Sequence, residues 1–190
     1  MIPEITVATP TIPPRVCGGM LQKSNESVRA QTLLPSGGIS VAVDVDKVGA
    51  AMTRQRALDG VHTPWVAFLD DDDWLYPQHL RTLWTLIEEH DADYAYSWFD
   101  GNNPFPMHRG RQMNPDEPHH TTMTVLVRTE IAKEAGFILP DGPLHQDWMG
   151  EDWMFELKCL KLGAKFIGTG EVTWYYNVHG SNTSGLSNRW

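Results

Sequence analysis

The sequence predicts an α/β fold in a single domain, with a mostly parallel central sheet flanked by helices. Three observations carry this expectation. Short, apolar, β-prone runs alternate with helical patterns through the first hundred residues, the pattern of parallel strands joined by right-handed crossovers. The run Trp65-Val66-Ala67-Phe68-Leu69, preceded by Pro64, reads as a buried strand. It passes directly into four aspartates, Asp70-Asp71-Asp72-Asp73. The acids therefore sit at a strand's carboxyl end, where open α/β sheets bind ligands.

Residues 2–8 are apolar-rich and give a first strand, ending at Thr9-Pro10-Thr11. Residues 13–19, with Pro13, Pro14, Gly18 and Gly19, read as a loop. A helix over 21–32 is closed by Pro35 and Gly37-Gly38. Residues 39–43 form a second strand that ends at Asp44-Val45-Asp46, and a helix over 48–58 stops before Gly60. The strand with the four acids is third. After it, Leu80, Leu83, Trp84 and Ile87 repeat at helical spacing, with Pro77 suited to the first turn. Residues 94–99 make a fourth strand.

The stretch 101–120 holds Pro104, Pro106, Pro115 and Pro118. It is too long for a simple connection and reads either as a functional lid or as a disordered loop. A strand over 121–127 and a short helix over 130–135 follow, the helix stopped by Gly136. A further helix runs from Glu151-Asp152 to Leu162, before Gly163. Residues 165–167 and 172–176 read as two short strands, and 179–190 as a polar loop. No repeat or linker divides the chain.

At 190 residues the chain has room for one sizeable core. A formal charge of -9 and a pI of about 5.2 make it a poor general binder of nucleic acid or anionic membrane. No apolar stretch approaches a membrane span. The first residues lack the basic region and apolar core of a signal peptide. Cys17 and Cys159 do not make a disulfide framework, so a reduced, cytoplasmic protein is the simpler expectation. Most of the eight tryptophans belong in the core, with one or two as candidates to line a site for a sugar or a base.

Four adjacent carboxylates repel one another unless water screens them or a cation neutralises them. Oxygen ligands suit a hard cation such as Mg²⁺ or Mn²⁺. The plainer alternative is a solvated acidic turn capping the next helix. An EF-hand fails, because the sixth position from Asp70 is Leu75 and the twelfth is Arg81. Asp44 and Asp46 form a second strand-end cluster, which neighbouring parallel strands would bring to the same rim. One cluster would then meet a nucleotide's base or ribose, and the other a diphosphate-bound metal. Glu151 and Asp152 open a helix, where acids are favoured by the dipole. Beside a metal–diphosphate site such an acid is also a candidate general base. Arg54 is placed for a phosphate, a rim carboxylate or a surface salt bridge. His179 is either a structural histidine or a ligand. His119, His120 and His145 have no convincing metal spacing. Walker A, GxGxxG, GxSxG, HExxH and CxxC patterns are absent.

Taken in order, the segments resemble the family 2 glycosyltransferases, from the first strand nearly to the end. Residues 5–11 resemble the opening strand and Pro-Thr turn, and Ser27-Val28-Arg29-Ala30-Gln31-Thr32 the Ser-Val-x-x-Gln-Thr helix. Asp44 falls at the nucleotide-binding aspartate, and residues 49–58 resemble the Gly-x-x-x-x-Arg-Asn-x-x-Leu helix. Phe68 to Trp74 with Pro77 resemble the Phe-Leu-Asp-x-Asp-Asp segment, and Gly150-Glu151-Asp152 with residues 160–164 the Glu-Asp helix. Residues 175–184 resemble the Tyr-Arg-x-His-x-x-x-x-Ser ending. The departures are Gln55 for Asn, Asn177 for Arg, and no clear second aspartate after Asp44.

The resemblance implies a GT-A fold, Rossmann-like, and an inverting, metal-dependent transfer from a nucleotide-diphosphate sugar, UDP-sugar favoured, to an acceptor hydroxyl. It implies that Asp70-x-Asp72 is the DXD motif, holding Mn²⁺ or Mg²⁺ with help from His179. Asp152 would be the base, with Glu151 as the alternative. Thr9, Pro10, Thr11, Asp44, Asp46, Arg54, Asp70 and Asp71 would line the donor. Residues 1–100 would form the nucleotide-sugar half and 101–190 the acceptor and catalytic half, with acceptor contacts from 101–120 and the tail. The acceptor is not named by the sequence, and an oligomer is compatible with it. Rival readings are a retaining GT-A transferase, a nucleotidyltransferase, and a non-catalytic metal-dependent binding module.

Overall fold

The structure, a computed structural model, describes residues 2–102, 109–110, 112–116, 124–138 and 150–180. Seven strands form one sheet: β1 (Ile5–Thr11), β2 (Ile39–Val43), β3 (Trp65–Phe68), β4 (Trp74–Leu75), β5 (Tyr94–Gly101), β6 (Val125–Arg128) and β7 (Phe166–Tyr176). The helices are α1 (Pro13–Cys17), α2 (Met20–Arg29), α3 (Ala50–Asp59), α4 (His79–His90), α5 (Thr129–Ala135) and α6 (Glu151–Lys161). The strand order is β2-β1-β3-β6-β5-β7-β4. Strands β2, β1, β3, β5 and β7 run one way, and β6 and β4 run the other. The sheet is thus mostly parallel, as expected, and both sequence halves contribute to it.

Alternation along the strands sorts the core into two layers. Ile5, Val7, Ala67 and Leu69 face one side and pack with Val28 of α2 and Leu80, Leu83 and Ile87 of α4. Ala8, Val66, Phe68, Tyr94 and Tyr96 face the other and meet Ala57 and Leu58 of α3, Ala132 of α5 and Phe155 of α6. Helices cover both faces, which is why β1 and β3 are buried along their whole length. Pro10 is tolerated inside β1 for a local reason. Val7 and Thr11 make their ladder bonds with the β2 side, so Pro10 turns towards β3, whose pairing with β1 ends at Ala8↔Phe68.

Several elements differ from expectation. The Pro13–Gly19 segment is not all loop: the paired prolines start α1, where a missing N–H costs nothing. Pro77 precedes α4, with Gln78 as its cap residue. The two short strands expected over 165–176 are one strand, β7, whose pairing with β5 shifts register between Tyr96 and Phe99. Strand β4 is an addition, two residues long and antiparallel to β7. Strand β6 inserts between β3 and β5, antiparallel to both. Most of 101–120 and of the 179–190 tail lies outside the described residues. In the described part, Gln112 exchanges hydrogen bonds with Gly168 and Arg109 donates to the Gly170 carbonyl. No described helix is long and apolar enough to cross a membrane.

His79 opens α4 fully buried, its Nδ1 2.7 Å from Thr173 Oγ1 of β7. Burial lowers its pKa to about 3. An unfolded histidine titrates near 6.5, so the neutral ring contributes stability that is present above pH 6.5 and is lost as pH falls from there towards 3. Wild type should therefore lose about 2 kcal/mol relative to His79→Gln between pH 7.5 and 5. Urea unfolding of both proteins measures this, and a pH-independent difference would contradict it.

Candidate active site

Leu69 N–H donates to the Ala8 carbonyl as the last rung between β1 and β3. The chain then leaves the sheet as the four aspartates. Helix α2 holds the backbone of this segment from one side. Ser24 Oγ donates to the Asp70 carbonyl at 3.3 Å, and Ser27 Oγ accepts from Leu75 N–H at 3.0 Å. Just past the helix, the Gln31 amide donates to the Tyr76 carbonyl at 2.8 Å and accepts from Leu80 N–H at 3.0 Å. Ser24 and Ser27, three residues apart, share one face of α2. The Ser-Val-x-x-Gln-Thr segment is thus a clamp on the acid loop.

The acids then diverge. Asp71 turns inward, accepting from Thr11 Oγ1 at 2.5 Å and from Arg15 Nη1 at 2.6 Å. Asp72 Oδ2 lies 2.9 Å from Arg15 Nη1 and 3.0 Å from His179 Nε2. Asp73 is buried, with Oδ1 accepting from Asn177 N–H and Oδ2 without a hydrogen-bond partner. Asp70 is the most exposed and accepts from Arg54 Nη2 at 2.8 Å. One oxygen each of Asp70, Asp72 and Asp73 lie within 4.8 Å of one another. The cluster holds its protons tightly. Burial, aided by Asp70, pushes Asp72 up to about 6, and burial with Asp72 and Asp70 nearby pushes Asp73 well above the usual carboxylate range. Burial also raises Asp71, despite Thr11 and Arg15.

Arg54 joins this cluster to α6. Its Nη1 donates to Glu151 Oε1 at 2.9 Å and Asp152 Oδ1 at 3.1 Å, opposite the Nη2 bond to Asp70. The placement begins at Asp44, whose two oxygens accept Val48 N–H and Gly49 N–H at 2.8 and 2.9 Å. Gly49, at φ 91°, turns the chain into α3, and Arg54 lies one turn on. Burial opposes charging Arg54, but Asp70, Asp152 and Glu151 together hold its pKa well above the ordinary value. Asp152 is itself raised well above the ordinary range, chiefly by burial and then by Glu151 and Asp70, which outweigh the lowering by Arg54.

The structure thus brings Asp70, Asp72, Glu151, Asp152, Arg54 and His179 into one site, with Thr11 and Asp71 behind it. Other candidates fare differently. Thr9 is fully buried and offers no surface to a ligand, so it belongs to the core. Pro10 is a strand residue, and Asp46 is exposed and pairs with Arg56 at 3.3 Å. Asp71 is held by hydrogen bonds from Thr11 and Arg15. Arg15 was not among the candidates: one basic residue in a proline-rich stretch carries no spacing signal. Asp73 was visible in the acid run, but nothing in the sequence showed its carboxylate joining Asp70 and Asp72. Of the departures, Gln55 accepts from Phe137 N–H and so ties α3 to the end of α5, while Asn177 serves the site through its backbone.

Acids at the strand ends of a mostly parallel sheet place a charged rim where open α/β folds bind ligands. The sequence profile described as "Glycosyl transferase family 2" matches residues 23–146, and the chain belongs to that family. The profile match stops short of Glu151, Asp152 and His179, which enter the site by geometry. The succinoglycan biosynthesis protein ExoW of Rhizobium meliloti (strain 1021) is 30% identical over 122 residues, covering 63% of this chain and 35% of the relative. The glycosyltransferase GlyA of Streptococcus pneumoniae is 22% identical over 159 residues, covering 75% of this chain and 23% of the relative. The chain thus spans 35% and 23% of these relatives' lengths. Among solved structures, S. aureus TarS 1-349 in complex with UDP-GlcNAc superposes with a TM-score of 0.75 at 15% identity, covering 97% of this chain and 61% of TarS. TarS 1-349 with UDP gives a TM-score of 0.69. The shared fold is GT-A.

Arg54→Met should destabilise the protein by about 2 kcal/mol, the cost of breaking a buried pair discounted for the solvent that reaches the carboxylates. Arg54→Lys should recover little, since one ammonium does not span the fork. Urea midpoints at constant slope measure this. A loss below about 0.5 kcal/mol, the range of ordinary surface changes, would remove Arg54 as the brace.

Proposed function

We propose that this chain transfers a sugar from a nucleotide-diphosphate sugar to an acceptor hydroxyl, with a divalent cation and with inversion at the anomeric carbon. The observation that carries the reading is the Arg54 bridge, which sets Asp152 at the start of α6 beside the strand-end acids.

The donor set fits a hard divalent cation. Asp70, Asp72 and Asp73 each supply one clustered oxygen, and Asp73 carries a buried Oδ2 without a hydrogen-bond partner. In this reading Asp70 and Asp72 form the DXD pair, Asp73 joins them, and His179 stands close enough to Asp72 to complete the set. When bound, Mn²⁺ or Mg²⁺ neutralises charge on the departing diphosphate. Each oxygen of Asp44 accepts a single N–H bond, which leaves acceptor capacity for base or ribose hydroxyls. A UDP-sugar donor is favoured by the UDP and UDP-GlcNAc complexes of the structurally similar TarS.

Asp152 takes the proton from the acceptor hydroxyl as its oxygen attacks from the face opposite the diphosphate. Its raised pKa suits it to accept that proton. Arg54 orients the carboxylate through its Nη1 bond. Glu151 shares the same guanidinium and is the second candidate for the base.

UDP should bind in calorimetry with Mn²⁺ and fail to bind in EDTA; equal affinity in both would remove the cation. Asp152→Asn should keep Mn²⁺-dependent UDP binding, because Asn retains size and a capping oxygen. Its transfer rate should fall about 10²–10⁴-fold, the usual worth of a general base. A near wild-type rate would pass the role to Glu151.

A further inference from the structure

Arg15 belongs to α1, directly after β1, and its side chain is nine-tenths buried. Its Nη1 donates to Asp71 Oδ1 at 2.6 Å and lies 2.9 Å from Asp72 Oδ2. Thr11 Oγ1 holds the other Asp71 oxygen, so Asp71 is fixed from two sides. Asp72 is placed differently. It faces Arg15 and His179 through Oδ2, and it is also a member of the carboxylate cluster with Asp70 and Asp73. A cation at that cluster therefore shares Asp72 with a guanidinium.

Arg15 stays charged at any working pH, since Asp72 and Asp71 overcome the burial that opposes its charge. Two positive charges on one buried carboxylate repel in a medium where charges are poorly screened. We infer that Arg15 is a positioning residue with a second effect: it holds Asp71 and Asp72 in place while opposing a bare divalent cation at the cluster. Cation affinity is thereby kept low until anionic charge arrives with the cation. This rests on the reading that Asp70, Asp72 and Asp73 hold the cation. A purely structural Arg15 has the opposite signature, because loosening the acid loop would weaken the cation.

The test is a titration with Mn²⁺ alone, followed by the electron paramagnetic resonance of the free ion, without nucleotide or turnover. Arg15→Gln should bind Mn²⁺ about tenfold tighter than wild type, within the roughly 5–150-fold range of couplings between sites. Arg15→Lys keeps the charge and should stay within about threefold of wild type. Equal or weaker binding by Arg15→Gln overturns the inference and leaves the cation site standing. Failure of both wild type and Arg15→Gln to bind Mn²⁺ overturns the cation site and the inference together. Should Arg15→Gln not fold, Arg15→Lys decides, since a weakening of more than about tenfold would assign a structural grip alone.

Discussion

Arg54 places one positive charge between three carboxylates that come from two distant parts of the chain. Asp70 ends β3, and Glu151 and Asp152 begin α6. Without the guanidinium these acids would repel, and the start of α6 would lose its tie to the strand ends. The arrangement gathers six acids, Asp70, Asp71, Asp72, Asp73, Glu151 and Asp152, around the two guanidinium groups of Arg15 and Arg54. Burial, with this crowding of carboxylates added to it, raises the pKa values of Asp72, Asp73 and Asp152. The crowding is also what makes the site receptive to added positive charge. An acidic rim of this kind attracts a phosphate group only together with a cation.

Two supports keep the acids from relaxing apart. From one side, Ser24, Ser27 and Gln31 bond the backbone from Asp70 to Leu80. Short hydroxyls and one amide suit this task, because each offers an acceptor or a donor to a backbone group that has left the ladder. From the other side, the end of β7 returns to the acids, where Asn177 N–H meets Asp73 and His179 meets Asp72. Trp74 stacks on Tyr175 with ring centroids 4.1 Å apart, which pins β4 to β7 directly beside the cluster. Much of the sequence around the acids in this chain therefore serves to support them.

The strand–acid junction at Leu69–Asp70 was legible because burial and charge change abruptly there, and the start of α6 was legible because its acids sit at a helix N-terminus. The insertion of β6 was not. Val125, Leu126 and Val127 announce a buried strand, but period-two apolarity does not say which strands lie alongside. Strand β4 escaped because two residues are too few for any period. The gap expected between 165–167 and 172–176 is continuous strand, and Gly168 within it lets the Tyr96 ring approach the backbone. Within the site, Asp44, Asp70, Asp72, Asp152 and Arg54 were candidates from their places at strand ends and on helices, and the motif resemblance gave Asp152 and His179 their weight. Arg15 and the membership of Asp73 depend on side-chain directions set by tertiary packing, which neighbouring residues do not encode.

The central claim is that the strand-end acids and α6 form one cation-dependent donor site. Crystals soaked with Mn²⁺ and UDP, with anomalous diffraction recorded at the manganese edge, test it most directly. The account predicts a manganese peak within coordination distance of Asp70, Asp72 and Asp73, with the diphosphate on its open side. Bound UDP with no manganese at these carboxylates, or a peak elsewhere on the sheet, would contradict it.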